Sequence, residues 1–510
     1  MPSLSRIASA AMCSLALVVT AAPAHAAAPK PGTPEYLARD LTNIANAYGR
    51  ITGPGGQLAN PAYLPALVKE SNATAVAQLL AQAATPTRLA LTAAMVVPGW
   101  NVGNPLRASW NGTRGVITPV TFTNRYGALL RGDVFSPKPG AKDPYTGASL
   151  KGPFPGVVLT PGSVQGSQGM YRWLAEDLAE RGYVVLAYDV QGQGTSETLP
   201  HQTGNTFPFC NPLSEPEPTE MTGCPGFPFQ QSSNFVKGTE DATDFFFSTP
   251  TKKYANIGAA GAKVDSFNPL WKQFDRSVDT RTATKGRTTR FAIIGHSLGA
   301  FAVSKVQGTD KRVAAVVALD KLQAGGLDVG GGLTDVGPVT PSVPALGIQS
   351  EYGFTVSPAA LSGGSSLVPA PGDPAPQRER ATGFDAWRAK KVDSMVIVPR
   401  ASTHLEYTDI PLVLPASRYG QALTSVYVQR WLDRYLKHES VKAKPTGTDP
   451  LLATSFKYLE PAGNGVWKPT TLKLDGALSF YYCSAYAITD RNGKTKRFNG
   501  DIAKVGGCTN

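Results

Sequence analysis

The chain has 510 residues, and 42% of them are apolar, which suffices for a large core in one elaborated domain or two ordinary ones. Its formal net charge of +12 is a modest excess for this length, and no block of consecutive Lys and Arg residues is interleaved with aromatic residues. The sequence therefore argues against a nucleic-acid-binding protein. It also contains no internal repeat and no heptad pattern.

The first 26 residues have the pattern of a secretory signal peptide. One cation, Arg6, precedes a mostly apolar stretch over residues 8–20, and residues 24–26 form a small-residue cleavage site. We predict a secreted protein that is cleaved near Ala26. No later segment offers about 18 uninterrupted apolar residues, so the sequence argues against an integral membrane protein.

The cysteines indicate disulfide bonds. Cys13 lies in the signal peptide, and the other four form two close pairs, Cys210 with Cys224 and Cys483 with Cys508. Four cysteines allow three connectivities, of which neighbour pairing is the simplest. An oxidising compartment and the even count favour disulfides, and no His stands at a zinc-like spacing from these cysteines. We expect neither a metal nor an organic cofactor.

The chain begins, after the signal peptide, with a helical N-terminal extension over residues 27–114. Ala- and Leu-rich stretches between residues 33 and 94 have helical spacing. From Gly115 the sequence pattern changes, and the segments GVITPVTFTN and ALLRGDVFS show the alternation that is typical of strands. They predict an antiparallel pair that leads into a larger sheet.

Six short apolar segments then predict the strands of that sheet, and helical patterns separate most of them. MYRWLAEDLAERG, between the first two, has the apolar face that a crossover helix needs. The fold class is therefore α/β, a doubly wound and mostly parallel sheet that forms a domain over residues 115–440. The six segments are residues 155–160, 183–189, 291–295, 313–320, 343–350 and 393–399.

Two segments depart from this alternation. An insertion at about residues 200–285 holds the first cysteine pair and Phe-rich sequence, and it forms either a stapled loop over the site or a surface excursion. Residues 418–438 form an amphipathic helix that closes the sheet domain. Residues 441–510 are a C-terminal extension with a β-hairpin, its turn at Arg491, Asn492 and Gly493.

The run FAIIGHSLGA at residues 291–300 is the most informative motif. It combines a buried strand, a GxSxG turn and a following helix, which is the setting of a nucleophilic serine. The flanking glycines remove side chains that would collide at so sharp a turn. Ser297 is therefore the candidate nucleophile, the alternative being a Gly-rich turn without chemistry.

A nucleophilic serine needs a base, and four histidines follow the signal peptide. His296 lies inside the turn and is expected to face away from the Ser297 hydroxyl, His201 precedes the expected chain order, and His438 ends a helix beyond the sheet. His404 follows the last strand of the sheet. Because the carboxyl ends of parallel strands share one edge, His404 can reach Ser297 and is the candidate base.

The acid that orients the histidine has two candidates, both at strand ends. Glu351 follows VPALGIQS, and Asp320 ends VAAVVALD. We favour Glu351 and keep Asp320 as the alternative. Whichever is not the acid has a structural role, such as capping a helix or pairing with Lys321.

Backbone N–H groups would stabilise the oxyanion. One comes from Leu298, directly after the nucleophile, and the second from Ser163 or Val164 in the loop TPGSVQGSQG. An ordinary β-to-α loop would have the same sequence.

The GxG of YDVQGQGTSE lacks the third glycine of a dinucleotide fingerprint and does not lead into a helix.

Together these motifs resemble the α/β-hydrolase superfamily, in particular secreted bacterial esterases and lipases. TPGS, YDVQGQGTS, GHSLG, a strand-end carboxylate and STH stand in the order of that superfamily. TPGS is also similar to the oxyanion loop of cutinase-like enzymes, with Ser163 where those place an aromatic residue.

The resemblance implies a Ser-His-acid triad that cleaves carboxylic esters through an acyl-enzyme. The substrate would be a small, lipid or polymeric ester. The alternatives are a peptidase or amidase on the same fold, and a binding protein that has the fold without the activity.

Overall fold

The computed structural model describes residues 29–84, 102–163, 166–197, 232–259, 261–278, 290–325, 338–354, 356–359, 374–409, 417–437, 449–489 and 496–508. None of the helices within these ranges is long and apolar enough to cross a membrane. The signal-peptide residues, His201, Cys210, Cys224 and His438 lie outside the described residues.

Twelve strands lie in the described part of the chain. They are β1 (Gly115–Thr123), β2 (Leu129–Pro137), β3 (Gly156–Thr160), β4 (Val184–Tyr188), β5 (Phe291–His296), β6 (Ala315–Leu319), β7 (Ala345–Ile348), β8 (Ser394–Ile397), β9 (Ser455–Gly463), β10 (Val466–Lys473), β11 (Ala485–Thr489) and β12 (Lys496–Asn499).

The α-helices in the described ranges are α1 (Pro34–Thr52), α2 (Tyr63–Ala84), α3 (Arg172–Glu180), α4 (Ser232–Phe247), α5 (Leu298–Thr309), α6 (Arg378–Ala381), α7 (Phe384–Ala389) and α8 (Arg418–Leu432). A π-helical turn, Asp433–Lys437, continues α8.

A ten-stranded sheet in the order β1-β2-β4-β3-β5-β6-β7-β8-β11-β12 forms the centre of the molecule. Strands β3 to β8 pair in parallel, whereas β1, β2, β11 and β12 pair in antiparallel fashion at the two ends. The parallel strands are buried throughout, as their continuous apolar runs predict. The predicted α/β class with a mostly parallel sheet is confirmed.

Helices cover both faces of this sheet, which is why its central strands are buried on two sides. Helices α3 and α8 pack on one face through Trp173 and Trp431, and α4 and α5 pack on the other through Phe245 and Phe301. All four aromatic side chains are almost completely excluded from water. Burying each contributes about 2–3 kcal/mol to folding, which fixes the helices relative to the sheet.

The C-terminal region contains a feature that the sequence did not predict. Its hairpin of β11 and β12 extends the central sheet, because β11 pairs with β8. Strands β9 and β10 form a separate two-stranded sheet. The predicted disulfide between Cys483 and Cys508 is confirmed, whereas the hairpin turn at residues 491–493 lies outside the described residues.

Candidate active site

Ser297 stands on a sharp turn between β5 and α5. Its backbone has φ 54° and ψ −120°, a left-handed conformation that favours glycine. A Cβ on Gly295 would overlap with the backbone of Gly299, and a Cβ on Gly299 would overlap with the carbonyl oxygen of Pro161. The two flanking glycines are therefore required for the close approach of the backbone, as the motif predicts.

This backbone conformation predicts an unusual order of stability among variants of Ser297. We expect the free energy of unfolding of Ser297→Gly to exceed that of Ser297→Ala by about 1 kcal/mol or more, because only glycine adopts this conformation without steric cost. Urea unfolding of the two variants measures the difference. Equal stabilities, or a less stable Gly variant, would show that the turn is not strained.

The sheet register brings the candidate residues to one edge. His296 is opposite Leu319 in the pairing of β5 with β6, and Leu319 is opposite Ile348 in β7. The residues that follow, Ser297 and Asp320, therefore leave the sheet at the same level. The Ser297 N–H donates to the Leu319 carbonyl oxygen at 2.9 Å.

His404 and Asp320 form the central pair of the site. His404 Nδ1 lies 2.6 Å from Asp320 Oδ2, and both side chains are buried. Ser350 donates its hydroxyl to Asp320 Oδ2 at 2.6 Å and its N–H to Oδ1 at 3.1 Å. Because the carboxylate accepts from Nδ1–H, Nε2 of a neutral His404 carries the lone pair that a general base needs.

The surroundings keep Asp320 ionised. Burial raises the pKa of Asp320, but four interactions together outweigh it, so that the pKa lies below its usual range. They are the hydrogen bond and the charge of His404, the charge of Lys321 and the hydrogen bond from Ser350. An ionised carboxylate at this position orients the imidazole and stabilises an imidazolium.

Glu351 does not contact His404, and the preference for Glu351 as the orienting acid is corrected. Its carboxylate accepts from the Asn43 amide, from the Ala401 N–H at 2.6 Å and from the Ser479 hydroxyl at 2.6 Å. Successive side chains of an extended segment point to opposite sides. Ser350 faces Asp320, and Glu351 accordingly faces helix α1 and the C-terminal region.

Glu351 instead joins three distant parts of the chain. Asn43 belongs to α1, Ala401 lies three residues before His404, and Ser479 precedes β11. Burial raises the pKa of Glu351. The side chain is a structural link between the extensions and the loop that bears His404. The sequence also suggested an ion pair between the remaining acid and Lys321. In the structure Glu379 forms that ion pair, 3.1 Å from the Lys321 ammonium.

His296 is buried beside His404, with ring centroids 4.7 Å apart, and both of its nitrogens have partners. Nε2 lies 2.9 Å from the His404 carbonyl oxygen, and Nδ1 lies 2.7 Å from the Tyr171 hydroxyl. A carbonyl only accepts, so Nε2 carries the proton and Nδ1 accepts from Tyr171. His296 is therefore occupied in structural hydrogen bonds and is not free to act as the base.

Tyr171 extends this chain of hydrogen bonds to the loop after β3. Its hydroxyl oxygen accepts from the Gly162 N–H at 2.9 Å. Tyr171 thus links the Gly162 loop, through His296, to the backbone of His404. The sequence analysis missed Tyr171, because an aromatic residue at the start of an amphipathic helix is typical of a core position.

Burial and the neighbouring His404 lower the pKa of His296 to about 3, well below its ordinary value of 6.5. Between these values the unfolded chain binds a proton that the folded protein excludes, so the free energy of unfolding falls as the pH falls. The loss from this group amounts to about 2 kcal/mol between pH 7 and 4.5.

The variant His296→Gln removes the titrating group but keeps an amide donor and acceptor. We expect its free energy of unfolding to fall by about 2 kcal/mol less than that of the wild type over the same pH range. Urea unfolding of both proteins at pH 7 and pH 4.5 tests this. Equal losses would mean that His296 is not held neutral.

The loop after β3 lies against Ser297. A Cβ on Gly162 would lie 3.1 Å from the Ser297 Cβ and 2.9 Å from His296 Nδ1. The buried Gln193 holds this loop, because its amide donates to the Gly162 carbonyl at 2.8 Å and accepts from the Gly166 N–H at 3.0 Å. Gln193 is a second residue that the sequence analysis missed.

The structure describes the first predicted oxyanion donor, Leu298, more fully than the second donor in the loop after β3. Leu298 is the first residue of α5, and no acceptor for its N–H lies among the described residues. A free N–H at a helix N-terminus is suited to an anion. Ser163 follows Gly162 in the loop, and Val164 lies outside the described residues.

The GxG loop after β4 is built around Asp189. The carboxylate accepts from the Gln168 N–H at 2.7 Å and from the N–H and hydroxyl of Thr195 at 2.8 and 3.0 Å. Burial raises the pKa of Asp189 to about 6. These bonds hold the loops after β3 and β4 together.

One group of side chains in the described ranges is close enough to share a metal ion, and it consists of Cys483, Asp501 and Cys508. The two sulfur atoms are bonded to each other, so they are not available as thiolate ligands. No metal site is proposed there.

The fold and the site together define an α/β protein with a strained serine turn and a buried His-Asp pair at the carboxyl edge of its sheet. No family model matches the chain. It is similar to an uncharacterized protein of Pseudomonas aeruginosa, with 31% identity over 132 residues, 25% of this chain and 33% of that protein. The chain thus spans about a third of that relative's length.

Among solved structures, the chain is similar to a ferulic acid esterase from Streptomyces cinnamoneus. The identity is 16% and the TM-score 0.37, over 66% of this chain and 94% of that one.

Proposed function

We propose that the protein is a serine hydrolase that cleaves carboxylic esters through an acyl-enzyme. The single observation that carries the proposal is the His404–Asp320 hydrogen bond at the sheet edge that also bears the strained Ser297 turn. A strand, a sharp serine turn and a helix form the nucleophile elbow of α/β-hydrolases, and Ser, Asp and His follow one another along the chain in the order of that fold.

In the first step, Ser297 Oγ bonds to the ester carbonyl carbon, and its proton passes to His404 Nε2. Asp320 holds the Nδ1–H of His404 and stabilises the imidazolium that forms. The carbonyl oxygen becomes an oxyanion, which accepts from the Leu298 N–H and from the N–H of Ser163 or Val164.

The tetrahedral intermediate then collapses. The carbon–oxygen bond to the alcohol breaks, the alcohol oxygen takes the proton from His404 Nε2, and the acyl group remains on Ser297. Water repeats the sequence with His404 as the base, which releases the acid and restores the serine hydroxyl. Neither step requires a metal or an organic cofactor.

The proposal includes export from the cytoplasm. It is supported by the signal-peptide pattern of residues 1–26 and by the disulfide between Cys483 and Cys508, since disulfides persist in oxidising compartments. N-terminal sequencing of the secreted protein tests this part, and a mature chain that begins near residue 27 is the expected result.

Hydrolysis of p-nitrophenyl esters, from acetate to palmitate, tests the activity. Release of p-nitrophenolate by the wild type with an optimum of chain length supports the proposal and measures the acyl pocket. A parallel series of p-nitroanilides distinguishes an amidase. Turnover of the anilides with no turnover of any ester would overturn the ester assignment.

A further inference from the structure

An exposed aromatic side chain, Phe354, lies directly against the ring of His404. The two ring centroids are 4.8 Å apart, and the rings meet edge to face at 70°. Phe354 is 42% exposed, whereas Tyr352, two residues earlier, is fully buried. Isolated apolar side chains on a surface are common. Phe354 is distinguished by its contact with the base of the site.

Hydrogen bonds fix Phe354 relative to His404. The His404 N–H donates to the Gly353 carbonyl at 2.9 Å, and the Tyr352 N–H donates to the Ser402 carbonyl at 2.9 Å. The Tyr352 hydroxyl also accepts from the Asn43 amide at 3.0 Å. The loop after β7 is thereby paired with the loop after β8, so Phe354 keeps its place without being covered by the core.

The chemistry of the proposed reaction decides which part of the substrate Phe354 would meet. His404 delivers its proton to the oxygen of the departing alcohol, so the alcohol portion of the ester must lie beside the imidazole. The exposed ring of Phe354 contacts this same imidazole, which brings an apolar surface to the histidine that would protonate the alcohol oxygen. Aromatic side chains favour edge-to-face or offset contact with another ring.

We propose that Phe354 contacts the alcohol portion of the substrate and makes the enzyme selective for esters of aromatic alcohols. This inference rests on the proposed esterase function. Phe354 takes no part in proton transfer, and its effect is on which ester is bound productively. The substrate class would accordingly be esters whose alcohol portion carries a flat apolar ring.

Benzyl acetate and methyl acetate provide the test, because they share an acyl group and release alcohols of similar basicity. The ratio of kcat/KM for benzyl over methyl acetate is measured for the wild type, Phe354→Ala and Phe354→Leu. We expect Phe354→Ala to lower this ratio about tenfold. Phe354→Leu, which keeps apolar bulk, should lower it less. Ile257→Ala, an exposed apolar residue of another segment, serves as the control and should leave it unchanged.

Two results would contradict the inference. An unchanged ratio, with both esters slowed equally, would mean that Phe354 only supports His404. A change confined to the ratio of kcat/KM for methyl benzoate over methyl acetate would place Phe354 on the acyl side. A wild type that hydrolyses no ester would instead refute the proposed function itself, which separates that failure from the failure of the Phe354 assignment.

Discussion

Ser297→Ala is expected to lower kcat/KM for ester hydrolysis by about 10⁴-fold or more, because the variant has no nucleophile to form the acyl-enzyme. The fold should persist, since alanine occupies no more space than serine and Ser297 makes no side-chain cap of α5. Steady-state kinetics with p-nitrophenyl acetate measures the loss, and circular dichroism checks the fold.

Ser304→Ala is the matched control, because Ser304 lies on the same helix and its hydroxyl donates to the Ala300 carbonyl at 2.7 Å. This variant should keep the activity of the wild type and lose about 1 kcal/mol of stability. A Ser297→Ala protein that keeps more than about one hundredth of the wild-type rate would contradict the role of Ser297.

A second large effect is expected at Asp320. Asp320→Asn should lower kcat by about 10⁴-fold, because an amide has no charge to stabilise the imidazolium and can bind the wrong tautomer of His404. Kinetics with the same ester measures the effect. The loss should appear in kcat far more than in KM, since Asp320 acts on the histidine and not on the substrate.

Glu351→Gln is the matched comparison, because it also replaces a buried carboxylate by an amide of the same shape. We expect kcat to fall less than about tenfold, while the free energy of unfolding falls by about 1–3 kcal/mol. One carboxylate oxygen accepts from Asn43 and Ala401 and the other from Ser479, so the amide nitrogen leaves the donors on one side without an acceptor. A larger loss of kcat in Glu351→Gln than in Asp320→Asn would restore Glu351 as the acid.

The central sheet could be predicted because its signal is local. Strands buried on both faces are continuous apolar runs, and β5 and β6 show this directly in the sequence. The pairing of β11 with β8 could not be predicted in the same way. Alternation within a hairpin says which residues are buried, but it does not say at which edge of which sheet the hairpin adds.

The residues of the candidate site show the same difference between local and distant signals. Ser297 is marked by glycines two residues away on either side, and His404 by its place after the last parallel strand. The choice between Asp320 and Glu351 depends on the direction of each side chain, and that direction is decided by distant partners. Asn43 lies about 300 residues from Glu351 in the sequence, and no local pattern indicates that they meet.

Tyr171 and Gln193 were missed for the same reason. The partner of the Tyr171 hydroxyl, His296, is 125 residues away. Gln193 contacts the Gly162 loop, 31 residues earlier, through a side chain that a single sequence does not distinguish from a polar surface residue. Residues that support the site through distant contacts are identified from the contacts between loops in the folded structure.

Labelling of the full-length native protein with a fluorophosphonate tests the central claim most directly, because this reagent bonds to a serine only where a base activates it. The protein is digested after labelling, and mass spectrometry locates the adduct. We predict one adduct, on Ser297, that is absent from His404→Ala and from heat-denatured protein. An adduct on another serine, or ester hydrolysis that persists in protein labelled to completion at Ser297, would contradict the assignment.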